Sequence, residues 1–73
     1  MNDNFTYNRS WIEIEEMLDK AERKQNSHFL RIQKKGIEKE KRIHHMRNYK
    51  ALEGVIKALR WTLGDRDVEH PLE

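Results

Sequence analysis

The 73-residue chain contains no cysteine, one proline and three glycines. The absence of cysteine removes disulfide staples, the usual support of a small domain with a thin core, and also removes thiolate ligands for zinc. The single proline, Pro71, leaves the long interior free of the strongest helix breaker. No run of about 18 apolar residues occurs, so no membrane span is expected. The opening Met-Asn-Asp-Asn-Phe-Thr-Tyr lacks the charged and apolar regions of a secretory signal, which makes the cytoplasm the expected compartment. Gly36, Gly54 and Gly64 are too scattered to build a phosphate loop. Ser10, Ser27 and the four histidines form no nucleophile–base order. An enzyme is therefore not expected, and neither is a cofactor or a small-molecule substrate.

Apolar side chains are scarce as well. Only 36% of residues are hydrophobic against 38% charged, and the mean hydropathy is −1.11. Burying one large apolar side chain gives roughly 1.5–3 kcal/mol. Ordering the backbone costs about 1–2 kcal/mol per residue. A chain this short and this polar is expected to be marginal alone, and to associate with itself or with a partner.

What is present is helix-forming sequence with two large aromatics, Trp11 and Trp61, equally far from Gly36. Ser10 and Glu13 form a Ser-x-x-Glu capping box at the start of a first helix. Trp11, Ile14, Leu18, Ala21, Gln25, His28 or Phe29, and Ile32 follow at spacings of three and four, which marks one helical face. Lys34 and Lys35 suit the last turn, with Gly36 as a left-handed C′ residue and Ile37 touching Ile32. A second helix has no Ser, Thr, Asp or Asn to cap it. It continues through Ile43, Met46, Tyr49, Leu52, Val55 or Ile56, Leu59 and Leu63 until Gly64 stops it.

The expected fold is all-α, an antiparallel two-helix hairpin turning near Gly36, with helices at about 11–35 and 38–63. Residues 1–9 read as a loosely held arm containing Phe5 and Tyr7, residues 10–64 as the hairpin, and 65–73 as a polar tail. One continuous helix competes, because a lone glycine costs only about 1 kcal/mol; it would run roughly 80 Å. A turn at Asn26-Ser27 is a further alternative. Mirror pairing about Gly36 favours the hairpin, placing Trp11 by Trp61, Ala21 by Ala51, Phe29 by Ile43 and Leu18 by Gly54.

Ile12, Met17, Leu30, Ile37 and Val55 lie off the narrow seam and would stay partly exposed on a lone hairpin. They point to a homodimer, packed as a four-helix bundle or coiled coil. The residues expected to carry folding and association are Trp11, Ile14, Leu18, Leu52, Ile56, Leu59 and Trp61.

The net charge of +2 hides a division along the chain. Residues 1–19 carry one Arg against five acids, residues 20–50 eleven Lys and Arg against three acids, and residues 51–73 three basic against five acidic side chains. A hairpin is thus acidic at its termini and basic at its bend. Arg31, Lys34, Lys35, Lys39, Lys41, Arg42 and Arg47 are the expected recognition surface for an acidic protein or, alternatively, for nucleic-acid phosphates. A solvated helical face, with local pairs such as Glu38–Arg42, is the plain alternative. His44 and His45 point about 100° apart on a helix, and folding back brings His28 near His44. Two ligands fall short of a zinc site, so no metal is expected.

Overall fold

In the computed structural model the description covers Phe5 and residues 8–73. Tyr7, Thr6 and residues 1–4 of the N-terminal arm lie outside the described residues. Two helices, α1 (Trp11–Ile32) and α2 (Lys39–Thr62), pack against each other, and no strand occurs among the described residues. The long axis measures 48 Å, far short of one continuous helix, and α1 runs uninterrupted through Asn26 and Ser27.

Ser10 caps α1 as expected, its Oγ accepting the Glu13 N–H at 3.1 Å. The other half of the capping box is not made. The Glu13 carboxylate accepts instead from Arg9 at 3.2 Å. α1 ends at Ile32 with Gln33 as its cap, earlier than the lysines suggest. Gly36 does adopt a left-handed conformation, φ 80°, but as part of a six-residue connection (33–38) rather than as the residue closing the helix. The Schellman arrangement forms at the other helix end. There Gly64 has φ 84°, its N–H donates to the Trp61 carbonyl at 3.0 Å, and the Asp65 N–H donates to the Arg60 carbonyl at 2.9 Å. Glu38, the N-cap residue of α2, makes no side-chain cap, as its sequence implies.

The inward-facing residues follow a strict alternation of four and three. On α1 they are Ile14, Leu18, Ala21, Gln25, His28 and Ile32; on α2 they are His45, Tyr49, Leu52, Ile56, Leu59 and Leu63. This is coiled-coil spacing. Ala21 and Ile56 are the buried residues at its centre, and their midpoint falls between Glu38 and Lys39.

That register corrects the mirror pairing about Gly36. Ile43 and Met46 face outward, 38% and 51% exposed, and Ala51 is exposed as well. Phe29 meets Tyr49 rather than Ile43, with ring centroids 6.0 Å apart. Successive steps of three rotate backward by about 60° each, so the run 43–46–49–52 cannot stay on one face. Trp11 and Trp61 are 64% and 51% exposed and form no ring pair with each other. They do not close the hairpin.

The last nine residues are more ordered than a polar tail suggests. The Asp65 side chain accepts the Asp67 N–H at 2.9 Å and its carbonyl accepts the Val68 N–H at 3.2 Å. This turn returns Val68, half-buried, to a groove lined by Glu22, Gln25, Ile56 and Lys57.

Candidate interaction surface at the bend

The connection between the helices and the adjoining turns enclose an open concavity of about 520 Å³. Its lining comprises Arg31 from the end of α1, Lys34, Lys35, Gly36, Ile37 and Glu38 from the connection, and Lys41 and His45 from α2. The early end of α1 produces this shape. Six residues outside any helix cross between the two packed helices. Gly36 supplies the left-handed residue, and no atom lies within 4 Å of where its Cβ would stand.

Four of the seven basic residues expected to recognise a partner thus converge: Arg31, Lys34, Lys35 and Lys41. Lys39, Arg42 and Arg47 lie outside the concavity on the exposed surface of α2. The ion pairs found among the described residues are Arg9–Glu13, Arg23–Asp19, Lys50–Glu53 and Arg60–Glu22. None involves the seven cations of the bend, and the Glu38–Arg42 pair that would have made them a quiet helical face is not formed.

Sequence reasoning left His45 out of the α2 face. His45 is half-buried, and its Nδ1 lies 2.8 Å from Nδ1 of His28 across the two helices. The sequence pairing had put His28 beside His44 instead; His44 is exposed and stands edge-on to His45 at 5.2 Å. The regular four-three spacing of 45, 49, 52 and 56 is the signal that would have found it. Burial, followed by the charges of His28, His44 and Arg31, holds the His45 pKa below its ordinary 6.5. Gln25, next along the α1 seam, donates to the Tyr49 carbonyl at 3.5 Å.

The candidate association residues divide by burial. Ile56 is buried and Ile14, Leu18, Leu52 and Leu59 are half-buried in the hairpin, whereas Trp11 and Trp61 are exposed. Arg9, Glu13, Ile14, Met17 and Leu59 line a groove on the flank opposite Val68. Among the described residues no group of three or more His, Asp or Glu side chains is placed to hold a metal, and no helix is long and apolar enough to cross a membrane. No family model, curated protein or solved structure matches this chain.

Proposed function

We propose that this chain is a small non-enzymatic helical interaction protein that acts as a homodimer and grips an acidic protein partner through its basic bend. The observation that carries this reading is the set of cations around the concavity, Arg31, Lys34, Lys35 and Lys41, none with a carboxylate within ion-pair distance among the described residues. Surface charges are ordinarily neutralised locally, and four left together form a field that draws an anionic surface. Ile37 and Glu38 in the same lining suit the mixed side chains of a protein better than a uniform row of phosphates.

Exposed area supports the dimer. The surface measures 6718 Å², whereas a compact monomer of 8.9 kDa exposes about 4,800 Å². Trp11, Trp61, Met17 and Val55 are 45–64% exposed, and large aromatics are frequent anchors at interfaces. An antiparallel arrangement sets the acidic terminal half of one copy beside the basic half of the other. Such a regulatory binding module needs no export, in keeping with a cytoplasmic setting.

Nucleic acid is the second reading, favoured by Lys39, Arg42 and Arg47 outside the concavity, which extend the positive surface along α2. Fluorescence anisotropy against an acidic peptide, duplex DNA and single-stranded RNA, at about 50 and 200 mM salt, separates the two. Preference for the peptide supports the first reading. Sequence-independent binding to nucleic acid that falls by orders of magnitude with salt replaces it with the second. Replacing Lys34, Lys35 and Lys39 together by Glu is expected to abolish binding and leave helix content intact. Unchanged binding would move recognition to the acidic end. Sedimentation over a hundredfold dilution tests the dimer, and a monomer throughout would refute it.

A further inference from the structure

We propose that the concavity at the bend is a proton-coupled anion site, in which His45 takes up a proton from solvent as the anionic group of a partner enters. This rests on the reading that the bend binds an acidic partner, and it adds how that binding is regulated.

The geometry begins with the two imidazoles. A hydrogen bond between Nδ1 of His28 and Nδ1 of His45, at 2.8 Å, needs an N–H on one ring and a lone pair on the other. With complementary tautomers the contact survives with both rings neutral or with one extra proton between them, and it is lost when both rings are charged and neither Nδ1 has a lone pair. The pair can hold one added positive charge without separating α1 from α2. That charge would stand in the wall of the concavity, because His45 is itself part of the lining.

The groups around His45 set when the proton arrives. From α1 come His28 and Arg31; from the connection, Lys34, Lys35 and the carboxylate of Glu38; from α2, Lys41 and His44. Burial first, and then the charges of His28, His44 and Arg31, disfavour a charged His45 and lower its pKa. A bound carboxylate or phosphate reverses this balance. It offsets the repulsion from Arg31 and gives a protonated ring an opposite charge. By linkage, whatever factor the anion adds to proton affinity the proton adds to anion affinity. Grip on the partner strengthens as the medium becomes more acidic.

Two labelled probes test this on the full chain at low salt: an oligoglutamate peptide and a phosphodiester oligonucleotide. Both stay largely charged from about pH 7.5 down to about pH 5.5. Binding is expected to tighten about fivefold over this interval, the scale of one added exposed ion pair. His45→Gln is expected to lose the tightening, while His44→Gln retains it. NMR titration of the His45 ring should show its midpoint rising when probe is present. The peptide arm and the oligonucleotide arm tell carboxylate from phosphate as the preferred group. Binding that ignores pH, or responds equally in His45→Gln, overturns the proton coupling and leaves the recognition surface standing. Failure of both probes to bind at either pH overturns the recognition surface and the coupling with it.

Discussion

The terminal half of the hairpin and the bend half share one four-three seam but fill it differently. Toward the termini the seam is apolar: Ile14, Leu18 and Ala21 on α1, with Leu52, Ile56, Leu59 and Leu63 on α2. Arg60 closes one flank by pairing with Glu22 at 2.9 Å, and the returning tail brings Val68 beside the same two residues. Toward the bend the seam ends on Ile32 but otherwise holds Gln25, His28, His45 and Tyr49, joined by hydrogen bonds across the helices. Outside that polar seam stand the unpaired cations. Apolar burial is non-directional and tolerates any pH, whereas a polar seam is directional and responds to protonation. One half of the molecule is held by apolar burial and the other by directional polar contacts beside a basic surface.

The comparison can be broken most directly at Ile56. Its truncation to Ala is expected to cost about 2–5 kcal/mol, enough to unfold a hairpin this thin, whereas Gln25→Ala in the other half should cost far less. Urea titration followed by circular dichroism measures both. Equal losses would mean that the polar half carries as much of the fold as the apolar half.

Helix capping gives a smaller effect. Ser10→Ala removes the bond to the Glu13 N–H and is expected to lower the melting temperature at a cost of about 1 kcal/mol. Glu38→Ser at the uncapped start of α2 is expected to raise it, by a similar or smaller amount. Stabilisation there would show that the bend is left loose at its cap.

The smallest effect is local and depends on pH. The His45 pKa is depressed in the folded chain, so the unfolded chain binds more protons near this range and stability rises with pH. The contribution of His45 is present above its ordinary 6.5 and is lost as pH falls through its lower folded value. Amide exchange, corrected for its intrinsic pH dependence, is expected to quicken around residues 28 and 45 on acidification and to stay constant around Ala21 and Ile56. Uniform quickening would deny the two halves their separate characters.

Much of the fold was legible in the residues. Ser10 announced the start of α1, Gly64 the end of α2, and the α1 seam from Ile14 to Ile32 was readable because its four-three spacing is unbroken. The α2 seam was misread because Ile43 and Met46 are apolar and fall at plausible steps of three. Their hydrophobicity outweighed the rotation that carries them off the face. Of the candidate site, the seven cations were visible as composition, but which four converge depended on where α1 stopped.

The sequence by itself determined that helix dominates, where α1 starts and α2 stops, and that positive charge gathers in the middle of the chain. These follow from local propensity, side chain-to-backbone hydrogen bonds and the order of charges along the chain, none of which needs a partner across space. Only the tertiary structure decided the register, the outward position of both tryptophans, the return of Val68, and the meeting of His28 with His45 in the wall of a basic concavity. Each of these depends on which faces of two helices find one another, a choice made by cooperative packing over the whole seam rather than by any residue within it.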